Sequence, residues 1–192
     1  TLKNNKENIK NILINLGYNI KEVTWNQDAL IVENITESEI RKLDIYNNGE
    51  IYMQSLSSMM PVIVLDPKQE ENILDMAAAP GGKTTQIAAM TEDKTFITAC
   101  EKNKIRAERL RYNIEKQGAK KITVLMQDAR DLDNYFSFDK VNLENLNSVF
   151  INDGLNQSIR LERLNKIAIS QMQILNNSDA ILLENNQTLI NN

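Results

Sequence analysis

A chain of 192 residues with 42% hydrophobic and 25% charged content has enough apolar side chains for a sizeable core and is globular rather than disordered. Its net charge of -4 lacks the basic excess of a dedicated nucleic-acid binder, and no apolar run approaches the ~18 residues needed to span a bilayer. With no histidine and one cysteine, Cys100, the composition excludes an internal disulfide, His-containing zinc sites and histidine general bases; the N-terminus shows no apolar signal core, so a cytoplasmic compartment is expected.

The first element is a helix from Asn5 to Leu16. Ile9, Ile12, Leu13 and Leu16 recur with a helical period, and Gly17 suits its end. Tyr18 to Trp25 and Ala29 to Glu33 read as two strands around a turn at Asn26-Gln27-Asp28. Thr36 to Leu43 reads as a second short helix, because Thr36 followed by Glu39 fits a capping box. Residues 1–45 then form a small α+β segment, and residues 46–192 the main domain. Trp25 either stacks on a base or packs in the small core. After an extended stretch from Gly49, a helix is expected near Ser55, with Pro61 inside it or after its first turns. Ser57 and Ser58 have no histidine to activate them, which excludes a serine nucleophile of the usual kind.

The stretch from Asn72 to Met90 organises the rest. Ile73 to Met76 is a short strand containing Asp75, Ala77 to Lys83 is a loop of small residues with Pro80, Gly81 and Gly82, and Thr84 begins a helix. Strand, small-residue loop and helix make a ligand crevice at the carboxyl end of a parallel sheet, where backbone N–H groups face the ligand. Three readings stand side by side. One is a methyl-donor site, with S-adenosylmethionine lying over Ala77, Ala78, Ala79, Pro80, Gly81, Gly82 and Lys83. The second is a phosphate loop, since Gly82-Lys83-Thr84 ends like one. That motif requires Gly where Ala77 stands, and Pro80 removes an N–H. The third is a tight turn without a ligand.

The donor reading calls for an acid at the end of the next strand to grip a ribose. Glu101 stands there, after Thr95 to Cys100. Lys102 to Gln117 is an amphipathic helix closed by Gly118. Its Lys102, Lys104, Arg106, Arg109, Arg111 and Lys116 form either a solvated face with Glu108 and Glu115 or a basic strip. Ile122 to Met126 is the next strand. Asp128 beyond it either accepts from an adenine amino group or caps a turn. Phe138 to Glu144 is a fourth strand, Ile159 to Leu175 a long helix, Ala180 to Glu184 a last strand and Asn185 to Asn192 a polar tail. The alternation predicts an α/β, Rossmann-like sandwich with a mainly parallel sheet and helices on both faces. Asp75, Glu101, Asp128 and Glu144 then share one rim.

With these residues in place, the chain resembles the Sun/nucleolar-protein family of S-adenosylmethionine-dependent RNA (cytosine-5) methyltransferases. The resemblance covers residues 45–141 and rests on Tyr52-Met53-Gln54-Ser55-Leu56-Ser57-Ser58 ahead of Leu74-Asp75-Met76-Ala77-Ala78-Ala79-Pro80-Gly81-Gly82-Lys83-Thr84. It implies that Ala77 to Lys83 hold the methionine end of the donor, Glu101 the ribose hydroxyls and Asp128 the adenine. It also implies an rRNA or tRNA substrate. Members of the family add a cysteine thiolate to cytosine C6, hold the base with an Asp, and release the product with a second cysteine. Here Glu144 falls at the Asp position, completing the set of candidate site residues, and Asn147 falls at the cysteine. An alternative register places Asp153 and Asn156 there. The second cysteine position is also empty, around Glu184-Asn185-Asn186. The expectation is an S-adenosylmethionine-binding homologue with a degenerate nucleophile site. The alternatives are a non-catalytic RNA-binding or ribosome-assembly scaffold and, third, a nucleotide hydrolase.

Overall fold

The computed structural model describes residues 1–132 and 136–142. The chain opens with helix α1, Lys6–Asn15, where the Asn5 side chain accepts from the Asn8 N–H at 2.9 Å. Such a cap contributes about 1 kcal/mol by satisfying an otherwise orphaned donor. Gly17 follows with φ +85°, the left-handed turn that the sequence assigned to it. Strands β1, Asn19–Glu22, and β2, Leu30–Glu33, pair antiparallel with Asn19 opposite Glu33 and Glu22 opposite Leu30. Ile9, Leu13 and Ile45 are buried beneath them, with Ile12, Tyr18, Ile20, Leu30 and Val32 packed around. Trp25 is half-buried.

The capping box is present. Thr36 accepts from the Glu39 N–H, and the Glu39 carboxylate accepts from the Thr36 N–H at 2.8 Å. The helix it starts, α2, spans only Glu37–Ile40, shorter than expected, and an unanticipated turn of helix, α3, follows at Asp44–Asn47. Helix α4, Leu56–Leu65, begins at Ser55 as expected and contains Pro61, whose missing N–H leaves one helical bond unmade.

Strands β3, Asn72–Asp75, β4, Phe96–Cys100, β5, Ile122–Leu125, and β6, Lys140–Asn142, form one parallel sheet in the order β5-β4-β3-β6. Ile73 pairs with Ile97 on one side and Lys140 on the other. Alternation along each strand sorts the core into two layers. Ile73, Ile97 and Ala99 face α4, helix α5, Gly82–Met90, and helix α6, Lys104–Gln117, through Val62, Ile87 and Leu110. Leu74, Cys100 and Val141 face the other way, against Ala129, Leu132 and Phe138. The expected α/β Rossmann-like architecture is thus present. The second helical layer, the last strand and the tail were assigned to residues outside the described ones.

Helix α5 starts at Gly82, two residues before the expected Thr84. Helix α6 starts at Lys104, two after the expected Lys102, because Asn103 caps it by accepting from the Arg106 N–H at 3.1 Å; Gly118 closes it with φ +81°. Among the described residues no helix is long and apolar enough to cross a membrane.

Candidate functional site

The site grows from the end of β3. Asp75 is 1% exposed, so its charge depends on donors close by. Thr84 Oγ1 donates to Asp75 Oδ2 at 2.6 Å and Asn142 Nδ2 to Oδ1 at 3.1 Å. One carboxylate thereby joins β3, β6 and α5. It serves the fold rather than standing open on the rim, as the sequence had suggested.

The loop that follows turns sharply. Gly81 has φ +111°, and a Cβ there would meet Leu110 at 3.0 Å, so only glycine suits the position. A Cβ on Gly82 would lie 3.0 Å from the Tyr52 ring and 3.3 Å from the Gln54 amide. The N-cap of α5 is Gly81, which has no side chain to bond the first-turn N–H groups that face the loop. The loop is also suspended from outside. The Ala78 N–H donates to the Cys100 carbonyl at 3.0 Å, Arg106 Nη2 to the Ala79 carbonyl at 2.8 Å, and Asn113 Nδ2 to the Pro80 carbonyl at 2.7 Å.

Glu101 and Asp128 stand just past the ends of β4 and β5. Glu101 is 6% exposed; its Oε1 accepts from the Asn103 N–H at 2.9 Å and its Oε2 lies 3.3 Å from Arg106 Nε. Each carboxylate oxygen has a further lone pair for a hydroxyl. Asp128 caps a turn of 3-10 helix, Ala129–Asp131, and is gripped by Arg130, with Nε 2.9 Å from Oδ1 and Nη2 2.6 Å from Oδ2. The capping role considered from the sequence is therefore present. The Arg130 hydrogen bond holds the Asp128 carboxyl down at about 2, with the Arg130 and Lys102 charges assisting, so it is ionised at neutral pH.

A crevice with about 490 Å³ of empty space, its open mouth included, separates the loop from the segment Tyr52 to Ser58. Ala77, Ala78, Ala79, Pro80, Gly82 and Lys83 line one wall; Tyr52, Gln54, Ser55 and Ser58 stand opposite. Glu101 and Asp128 do not line this crevice, and Glu144 lies outside the described residues, as do Asn147, Asp153 and Asn156. Sequence reasoning had not counted the Gln54 side, where Gln54 Nε2 bonds to Ser58 Oγ at 3.3 Å and to Gln86 Oε1 at 3.4 Å. It had also missed Arg106 and Asn113 as loop supports. Their spacing of seven residues, one helical face, was the available signal.

Cys100 closes the apolar strand β4 and is fully buried. Burial, reinforced by Asp75 and Asp128, pushes its thiol up to about 11. Among the described residues no cluster of acids and cysteine could hold a metal ion.

A parallel sheet whose central strand ends in a glycine-rich loop and a helix with glycine at its N-cap, with acids past the neighbouring strands, defines a Rossmann-like fold of the methyltransferase kind. A solved methyltransferase homolog protein from Pyrococcus horikoshii superposes with a TM-score of 0.66 at 30% identity, over 73% of this chain and 46% of that one. The chain belongs to the family described as 16S rRNA methyltransferase RsmB/F, whose model matches residues 62–189. Among curated relatives, the tRNA (cytosine(72)-C(5))-methyltransferase of Pyrococcus horikoshii is 38% identical over 130 residues, covering 64% of this chain and 33% of that protein. The 25S rRNA (cytosine-C(5))-methyltransferase nop2 of Schizosaccharomyces pombe is 35% identical over 147 residues, covering 75% and 24%. The chain thus spans only a quarter to a third of these two relatives, and the family resemblance read from the signature pair is borne out.

Proposed function

We propose that this chain binds S-adenosylmethionine across the loop from Ala77 to Lys83 and is a homologue of RNA cytosine-C5 methyltransferases that does not itself complete the transfer. The donor set suits such a ligand. The small loop side chains admit close approach, the glycine-started first turn of α5 directs N–H groups toward a carboxylate, Glu101 offers acceptors to ribose hydroxyls, and ionised Asp128 offers one to an adenine amino group. Glu144 is carried in the same proposal on the sequence resemblance. When bound, the donor supplies a methyl group activated on a sulfonium centre. The chain's own residues hold and orient it.

The observation that limits the chemistry is Cys100. Cytosine C5 becomes nucleophilic when a thiolate adds to C6, as the family resemblance implies. The single thiol of this chain is sealed in the sheet. With its titration pushed up to about 11, about one molecule in ten thousand carries the thiolate at pH 7. The asparagines at the family's cysteine positions cannot replace it. The same observation favours a second reading, a non-catalytic RNA-binding or ribosome-assembly scaffold.

Calorimetric titration with S-adenosylmethionine separates the two. Binding by the unmutated chain, weakened about tenfold to a hundredfold in Glu101→Ala, is the expected result, since a hydrogen bond to a charged group contributes roughly 1.5–3 kcal/mol. No binding by the unmutated chain would leave the scaffold. Measured C5 methylation of RNA by this chain alone would overturn the argument from Cys100.

A further inference from the structure

Helix α6 presents two adjacent outward stripes of opposite character. Lys104, Glu108, Arg111 and Glu115 alternate in sign, so that stripe carries no net charge. Ile105, Arg109, Tyr112 and Lys116, at the same spacing, contain two cations, an aromatic ring and no acid. Tyr112 is 61% exposed and Ile105 69% exposed. Arg109 is exposed and has no ion-pair partner among the described residues.

At its carboxyl end the second stripe runs into the amino-terminal segment, and more cations collect there. Lys116 Nζ sits 3.9 Å from the centroid of Tyr46 and 5.9 Å from that of Tyr112; Arg41 lies 5.6 Å from Tyr46. Lys3 reaches the Asn48 carbonyl at 3.0 Å. Burial, together with the charges of Arg41 and Lys3, pushes the Lys116 titration down. The nearby acids offset part of this charge: Glu50, bonded to the neutral amides of Asn4 and Asn48, keeps its charge, and exposed Glu37 meets Arg41 at 3.6 Å, while Arg41 also donates to the Tyr46 hydroxyl at 2.9 Å. Like charges held together around aromatic rings repel one another until an anion arrives.

We propose that the seam between α6 and the amino-terminal segment is an RNA-binding face, with Lys3, Arg41, Arg109 and Lys116 taking backbone phosphates and Tyr112 stacking on an unpaired base. It rests on the proposed place of the chain among RNA methyltransferases and adds the surface that meets the RNA. Interleaved cations and an exposed ring match single-stranded RNA, whose phosphates and base faces alternate in the same way. The face also leads toward the crevice, because Asn113, four residues beyond Arg109 on α6, bonds to the Pro80 carbonyl of the loop.

The test is fluorescence anisotropy with a labelled, unstructured oligoribonucleotide over a range of salt concentrations. The proteins are the unmutated chain, Arg109→Glu, Tyr112→Ala and, as control, Lys104→Glu. Arg109 and Tyr112 are exposed, so both variants fold, which thermal melts verify. Arg109→Glu should weaken binding about tenfold and reduce the slope of log K against log salt by about one. Tyr112→Ala should weaken binding about fivefold or more, and Lys104→Glu should do much less. Failure of the unmutated chain to bind RNA at physiological salt, or unchanged affinity in Arg109→Glu and Tyr112→Ala, would overturn the proposal. Donor titrations on the same samples keep the readings apart: intact donor binding with unaffected RNA affinity removes the RNA face alone, and absent donor binding removes the donor site.

Discussion

Cys100 shows what a single residue decides. Its side chain lies among Leu74, Ala129, Leu132 and Val141, so ionisation would place a charge in an apolar layer. The thiol should resist aromatic disulfide reagents in the native chain and react fully in denaturant; rapid native reaction at pH 8 would contradict the structure. Its titration is raised from the ordinary 9 to about 11, so the native state retains the proton longer than the unfolded state. Stability is therefore unaffected by this group below pH 9 and falls as pH rises from 9 to 11. Urea midpoints across that window measure the fall. The residue was legible in the sequence because a small residue closing an apolar strand is ordinarily core. Asp75 was not. Its partners are Thr84, nine residues on, and Asn142, sixty-seven residues on, and no local period reveals a bond of that reach.

At the scale of elements, several boundaries were legible from the residue that marks them, although the Asn103 cap of α6 was passed over. Asn5, Thr36, Ser55 and Gly118 all stand where their chemistry places them. The start of α5 was misplaced because glycine is a poor helix former, yet Gly81 makes a good cap in the left-handed region and Gly82 sits in the first turn, where the helix still has unpaired N–H groups. Helix α3 escaped notice because it is one turn long and no side-chain hydrogen bond announces it. The junction beyond it depends on Gly49, which has φ +74° and packs so closely on α6 that a Cβ would overlap the Lys116 carbonyl oxygen. Gly49→Ala should therefore cost more than about 2 kcal/mol, from backbone strain and displacement of fixed main chain. The melting temperature reads the loss, and limited proteolysis should show earlier cleavage near residues 45–52. An unchanged melt would mean that the junction yields freely.

The whole molecule is governed by strand order, which the sequence does not reveal. Alternating strands and helices predicted a parallel sheet, but which strand lies inside depends on contacts distant along the chain. Strand β3 is flanked by β4 and β6, whereas β5 has a single neighbour among the described residues. The amides of Ile73 to Asp75 should accordingly rank among the slowest to exchange with deuterated water, and those of the two-stranded β1–β2 unit among the fastest in regular structure. Exchange followed by mass spectrometry would refute this ranking if the two regions proceeded together.

The two bonds from Arg106 and Asn113 to the loop carbonyls give folding a share in recognition. A loose segment gives up roughly 1–2 kcal/mol of backbone freedom per residue when a guest fixes it in place. Here that freedom has largely been surrendered before any guest arrives, so attraction between loop and guest is not diverted into taming the chain. How firmly the loop holds its guest is therefore set partly by a helix that stands behind it, and drift in the sequence of that helix can tune affinity with the residues lining the crevice left untouched.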